Sequence, residues 1–117
     1  MIQHIVLLKL KPGTSDQQIA AAFEAGRDLP NEIPGVLQRT YGRDESKASH
    51  GFNIASVVQL NDERALETYL SHPKRAEYLE RHVNPITEER IELDVPSEGT
   101  HLPTRASWFW GIAEGLE

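Results

Sequence analysis

The sequence predicts an α+β domain with the ferredoxin-like element order βαββαβ, in which both helices pack on one face of an antiparallel sheet. Four segments have the apolar or alternating pattern of strands, at residues 2–10, 36–43, 53–60 and 91–95. Between the first and second strands, and between the third and fourth, apolar residues recur at helical spacing. A length of 117 residues suits a single domain with its own core.

The first strand, IQHIVLLKL at residues 2–10, ends at the turn signal Lys-Pro-Gly. Val6 and Leu8 point to one face with His4, whereas Ile5 and Leu7 point to the other. Both faces of this strand therefore have to be covered. The two helices cover one face, and the same face of a second copy is the simplest cover for the other. The sequence thus predicts a homodimer.

The first helix opens with a capping box formed by Ser15 and Gln18, and its pattern ends near residues 29–30. Its inward stripe consists of Ile19, Ala22, Phe23 and Gly26. The polar stretch RDESKASHG at residues 43–51 has no apolar period, which is typical of an exposed hairpin loop between the second and third strands.

The second helix follows an N-cap at residues 61–62, and Pro73 predicts that it breaks or restarts there. Its apolar side before the break consists of Ala65, Leu66, Tyr69 and Leu70. In the last strand, apolar residues alternate with Glu92 and Asp94, which predicts one solvated or polar-lined face. We place the domain at residues 1–95 and a tail at residues 96–117. The aromatic cluster of that tail, residues 108–110, is expected to dock on the barrel or on the partner subunit, with a partly disordered extension as the alternative.

Composition argues against several classes of function. Twelve basic residues against eighteen acidic ones give a net charge of −6 without a basic stripe, so nucleic-acid binding is not expected. Apolar runs are too short to cross a membrane, and the N-terminus has no signal-peptide pattern. With no cysteine, a cytoplasmic location is expected. The five histidines are dispersed, which argues against a metal site.

Three motifs resemble one known family. They are I-x-H-I-V-L-L-K-L-K at residues 2–11, S-H-G-F-N-x-A at residues 49–55, and L-x-x-Y-x-x-H-P at residues 66–73. In this order and spacing they are similar to the stress-responsive A/B barrel, or Dabb, domains, over residues 1 to about 95. The resemblance implies a ferredoxin-like subunit that dimerises sheet to sheet into an α+β barrel.

The same resemblance bears on chemistry, because a plant branch of the family is a cofactor-independent polyketide cyclase. Its strand-one histidine is matched by His4 and its helix tyrosine by Tyr69. Its general-base histidine lies in a His-Pro-x-His segment, which reads His72-Pro73-Lys74-Arg75 here. Arg75 at that position is not a general base at ordinary pH, so the sequence departs from the cyclase pattern.

We therefore expect a pocket that binds a small hydrophobic or aromatic ligand, with no cofactor. Its expected catalytic residues are His4, Tyr69 and Arg75, acting in acid–base chemistry on a carbonyl compound. The expected ligand-binding residues are Tyr41, His50 and His72. For each residue a structural role is also open: a core histidine at His4, packing at Tyr69, a helix cap at His72, a loop hydrogen bond at His50 and a solvated surface position at Arg75.

Two other functions are open at this stage. One is a non-enzymatic, stress-related oligomer in which the pocket is incidental, which the departure from His-Pro-x-His favours. The other is a heme-handling or monooxygenase-like protein, by analogy with other dimeric α+β barrels.

Overall fold

The computed structural model describes residues 1–103. Its four strands are β1 (Ile2–Leu10), β2 (Val36–Arg43), β3 (Ile54–Leu60) and β4 (Thr87–Pro96). Its helices are α1 (Asp16–Ala25), the short α2 (Leu29–Glu32), α3 (Glu63–Ser71) and α4 (Pro73–Tyr78). A π-helical turn (Leu79–Val83) and a 3-10 turn (Asn84–Ile86) link α4 to β4.

The strands form one sheet in the order β2-β3-β1-β4, and every neighbouring pair is antiparallel. This is the predicted ferredoxin-like topology, which is confirmed. The register places four residues in one row across the sheet, in the order Arg39, Val58, His4 and Asp94. Because neighbouring strands in a sheet lie about 4.8 Å apart, side chains of this row on the same face are close neighbours.

The core lies between the helices and one face of the sheet. One cluster joins Leu8 of β1 to Ile19 of α1, and a second joins Val58 of β3 to Ala65 and Tyr69 of α3. Leu8 and Val58 point to the same face of the sheet, and they belong to the clusters with α1 and α3 respectively. Both helices therefore pack on that face. This face is the one to which His4 points, and His4 is itself 1% exposed.

No helix in the described residues covers the opposite face. Ile91, Leu93 and Val95 of β4 are 40%, 49% and 43% exposed there, and they lie beside the half-buried Ile5 and Leu7 of β1. The predicted two-sided apolar pattern of β1 is therefore present, with one of its faces uncovered by the described part of this chain.

Helix α1 ends earlier than predicted. It stops at Ala25, with Gly26 as its C-cap, and the chain then forms the separate α2 with Pro30 in its first turn. Proline fits that position because the first-turn amides of a helix have no intrahelical acceptor. The capping box is confirmed, since Ser15 Oγ accepts from the Gln18 amide and Gln18 Oε1 accepts from the Ser15 amide.

In α3 the predicted apolar side is narrower than expected. Ala65 and Tyr69 are buried, whereas Leu70 is 41% exposed and lies at the edge of the stripe. None of the helices in residues 1–103 combines the length and the apolar character needed to span a bilayer. The predicted docking of the aromatic cluster at residues 108–110 lies outside the described residues.

Candidate functional site

A cleft lies between the helices and the covered face of the sheet, with a cavity volume of about 50 Å³ and a mouth that opens to solvent. Apolar side chains from β1, α1 and the turn after α4 make most of its wall, among them Leu8, Ile19, Phe23 and Val83. The polar side chains in the wall are His4, Arg39, Tyr41, Ser56, Tyr69, Arg75, Tyr78, Arg90 and Glu92. A cleft whose wall combines apolar and aromatic side chains with convergent polar groups is typical of a small-molecule site.

His4 is held by a carboxylate from the neighbouring strand. Its Nδ1 lies 2.6 Å from Oδ1 of Asp94, which is its direct partner across β1 and β4. A carboxylate accepts hydrogen bonds, so this contact places the proton of a neutral imidazole on Nδ1. The other ring nitrogen, Nε2, is buried and has no hydrogen-bond partner among residues 1–103. The pair leaves Nε2 with a free lone pair at the wall of the cleft.

Glu92 and Arg75 lie on the Nε2 side of the imidazole. Glu92 Oε1 is 3.8 Å from Nε2 of His4, and it accepts a hydrogen bond of 2.9 Å from Nη2 of Arg75. Arg75 is 9% exposed, so the solvated surface position considered from sequence is wrong. The carboxylate that Arg75 binds in this structure is the protein's own.

Tyr69 lies edge-on to His4, with ring centroids 5.6 Å apart and the ring planes at 62°. The Arg75 guanidinium lies 5.2 Å from the Tyr69 ring centroid, within range of a cation–π interaction. Tyr69 is 5% exposed and belongs to the core cluster of α3. It therefore packs in the core and also forms part of the cleft wall beside His4.

A second polar group lies two strands away from His4. The Arg39 guanidinium is 4.4 Å from the Tyr41 ring centroid and 5.6 Å from that of Tyr78, and its Nη2 donates to the Tyr78 hydroxyl at 3.1 Å. Burial raises the pKa of Tyr78 above its usual 10.0, although the charge of Arg39 acts in the opposite direction. Gly26 makes this packing possible, because a Cβ there would lie 2.9 Å from both side chains.

The structure brings His4, Tyr69, Arg75 and Tyr41 into the wall of one cleft, and does not bring His50 or His72 there. His50 lies in the exposed loop after β2 with a positive φ of 54°. His72 acts as a helix cap, but it caps the piece after the Pro73 break rather than the expected piece before it: its Nδ1 accepts from the Lys74 amide at the start of α4.

The sequence reasoning missed Asp94, Glu92 and Arg39 as site residues. A signal was present for the two acids, since they alternate with apolar residues along β4 and were assigned to one polar-lined face. That face turns toward the helices, while the apolar residues of β4 turn toward the uncovered face. No comparable signal marks Arg39, whose strand β2 carries polar residues on both faces.

Residues 1–103 contain no group of three or more histidine, cysteine, aspartate or glutamate side chains placed to hold a metal ion. The polar groups of the cleft are instead arranged as pairs, His4 with Asp94 and Arg75 with Glu92.

Solved structures with a similar fold include proteins with and without an assigned activity. A dimeric ferredoxin-like protein of unknown function from Thermobifida fusca is 24% identical, with a TM-score of 0.73 over 82% of this chain and 90% of that one. Hydroxynitrile lyase from Passiflora edulis is 20% identical, with a TM-score of 0.74 over 86% and 96%. SnoaB, a cofactor-independent oxygenase from Streptomyces nogalater, is 11% identical, with a TM-score of 0.70 over 87% and 97%.

These identities support the fold alone. A search of curated protein sequences finds no match to this chain. The sequence model of one family does match, over residues 2–97, which is most of the chain and all four strands. The chain therefore belongs to the stress responsive A/B barrel domain (Dabb) family.

Proposed function

We propose that this protein is an acid–base enzyme that moves a proton on a small aromatic or apolar carbonyl compound bound in the cleft. The observation that carries the proposal is the His4–Asp94 pair, with 2.6 Å between Nδ1 and the carboxylate and a buried Nε2 that has no partner in residues 1–103. An imidazole fixed by a carboxylate on one nitrogen and free on the other is the arrangement of a general base.

In the proposed step, the C–H bond beside the substrate carbonyl breaks and its proton moves to Nε2 of His4. The electron pair of that bond moves into the carbonyl group and forms an enolate. The imidazolium that results lies between two carboxylates, Asp94 at 2.6 Å and Glu92 at 3.8 Å, which stabilise its charge. Return of the proton to the same or another atom completes an exchange, an isomerisation or a ring closure. Because the imidazole supplies the base, the step invokes no cofactor.

Tyr69 and Arg75 take different parts in this proposal. Tyr69 shares the cleft wall with His4, and its hydroxyl is the group we assign to the substrate oxygen, where it stabilises the developing enolate. Arg75 is a positioning residue, since its guanidinium binds Glu92 and keeps that carboxylate beside Nε2. The apolar wall, which includes Phe23 and Tyr41 at 4.8 Å between ring centroids, favours an aromatic or alkyl body of the ligand.

The proposal includes a homodimer that forms through the uncovered face of the sheet. Three residues of β4 that are 40% to 49% exposed, Ile91, Leu93 and Val95, form an apolar patch with Ile5 and Leu7 of β1. A patch of this kind on a small domain is typical of an interface. A second copy is the occupant that matches it, because an isologous contact places the same apolar patch on both sides. Several solved proteins of similar fold are described as dimeric.

Proton exchange on a simple aryl ketone tests the proposed activity without knowledge of the natural substrate. The methyl protons of acetophenone are followed by proton NMR in D2O, with and without enzyme. We expect the wild-type protein to exchange them faster than buffer, and His4→Gln to remove about 100-fold or more of the enzyme-dependent rate. His50→Gln is the matched control, because that imidazole lies in an exposed loop outside the cleft.

Two results would contradict the proposed activity. One is a wild-type rate equal to that of buffer although acetophenone binding is detected by its NMR line broadening. The other is an equal loss of rate in His50→Gln and His4→Gln. The first result favours the non-enzymatic, stress-related assembly, and the second contradicts the assignment of His4 as the base.

A further inference from the structure

Arg39 carries a charge that no group in the described residues neutralises. Within residues 1–103 its only hydrogen bond is to the neutral Tyr78 hydroxyl, it forms no ion pair, and its Nη1 is buried without a partner. Burying a guanidinium nitrogen without an acceptor is unfavourable. The raised pKa of Tyr78 keeps that hydroxyl protonated near neutral pH, so Tyr78 does not supply a counter-charge. Arg39 is therefore ready to bind an anion.

The cleft as a whole has a positive wall in an acidic protein. Among residues 1–103, three arginines line it, Arg39, Arg75 and Arg90, against the single carboxylate of Glu92. The arginines still outnumber the carboxylates when Asp94, behind His4, is counted. The complete chain carries a net charge of −6, so the excess of cations at the cleft does not follow from composition. A cleft with an excess of one sign of charge concentrates ligands of the other sign.

Arg75 is not the residue available for an external anion. Its Nη2 already binds Glu92 at 2.9 Å, and removing it would leave that carboxylate beside His4 without its partner. Arg39, in contrast, is available for an external anion. Aromatic rings hold its guanidinium on two sides, and no carboxylate reaches it within residues 1–103. A planar guanidinium held in this way matches the two oxygens of a carboxylate.

We propose that Arg39 is the carboxylate subsite of the cleft, so that the substrate is an aromatic or apolar acid whose carboxylate binds Arg39 while its carbonyl end lies at His4. This assignment deepens the proposed function and depends on it for the role of His4. Arg39 and His4 lie in one cross-strand row two strands apart, which places their Cα atoms roughly 10 Å from each other. A compact ligand with a single ring between the carboxylate and the carbonyl is the simplest probe of these two groups.

A matched pair of ligands tests the subsite. The charged member is 4-acetylbenzoate and the neutral member is 4-acetylbenzamide, which have the same ring and the same acetyl group. Isothermal titration calorimetry at low salt measures the affinity of each. We expect the wild-type protein to bind the carboxylate about 10-fold more tightly than the amide, with a preference that shrinks as salt is added. Arg39→Gln is expected to abolish the preference and to leave amide binding within about twofold.

Arg43→Gln is the control, because it removes the same charge from the same strand at a residue that pairs with Asp16 outside the cleft. The subsite is refuted if both ligands bind the wild-type protein equally, or if Arg39→Gln keeps the preference. It is also refuted if Arg39→Gln weakens both ligands equally, since that result assigns Arg39 to packing against Tyr41 and Tyr78.

The outcomes of the two proposals are distinguishable. A carboxylate preference that depends on Arg39, without exchange of the acetyl protons, contradicts the proposed proton transfer and supports the carboxylate subsite at Arg39. Exchange that depends on His4, with equal affinity for both ligands, contradicts the carboxylate subsite at Arg39 and supports the proposed proton transfer.

Discussion

Replacing Asp94 with asparagine is expected to lower enzyme-dependent proton exchange by about 100-fold to 10,000-fold, the range that general acid–base catalysis contributes. The side chains have nearly the same shape, so the effect is chemical. An asparagine amide can donate to Nδ1 of His4, which moves the imidazole proton to Nε2 and removes the lone pair that accepts the substrate proton. It also removes the negative charge, 2.6 Å from Nδ1, that stabilises the imidazolium.

Exchange on acetophenone, followed by NMR, measures this loss. Glu89→Gln is the control, because it makes the same change of charge on β4 at a side chain outside the cleft wall. Circular dichroism on both variants checks that each is folded. If Asp94→Asn stays within about twofold of the wild-type rate while His4→Gln is inactive, His4 acts without Asp94 and the assignment of that pair is wrong.

The second large effect is expected on assembly. Leu93→Lys places a charge in the apolar patch that β4 and β1 form on the uncovered sheet face, and in an isologous dimer the two new charges lie in one interface. Burying unpaired ammonium groups costs several kcal/mol per ion, which exceeds what a small interface tolerates. We expect the dimer to dissociate, so that the mass measured by sedimentation at micromolar concentration falls by half.

Leu70→Lys is the matched control for that experiment. Leu70 is 41% exposed, close to the 49% of Leu93, but it lies on α3 on the other side of the sheet. Dissociation of both variants would indicate a general loss of stability. A wild-type protein that sediments as a monomer would refute the dimer and leave the apolar patch without a partner.

Much of the fold could be predicted from the sequence because its signals are local. The capping box of Ser15 and Gln18 marks the start of α1, and Pro73 separates α3 from α4 because it fits only the first turn of a new helix. The two-sided apolar pattern of β1 indicated that both faces of this strand need a cover, and the βαββαβ order indicated that the helices cover only one of them. The end of α1 was misplaced because Gly26 ends the helix and Pro30 starts another, and the periodicity runs through both.

The site was only partly predictable because its central contacts join distant residues. His4 and Asp94 are 90 positions apart, and their contact exists because β4 pairs with β1 in one particular register. A shift of one residue would have turned Asp94 to the uncovered face. The burial of Arg75 was missed for a similar reason, since its partner Glu92 comes from that same strand. Residue types alone did not distinguish it from a solvated arginine.

The protonation state of the His4 ring tests the central claim most directly, and it needs no substrate. Long-range proton–nitrogen NMR on protein labelled with 15N reports which ring nitrogen carries the proton in the neutral imidazole. We predict a proton on Nδ1, shared with Asp94, an unprotonated Nε2 at the cleft, and transfer of the proton to Nε2 in Asp94→Asn. A neutral His4 that carries its proton on Nε2 in the wild-type protein would contradict its assignment as the base.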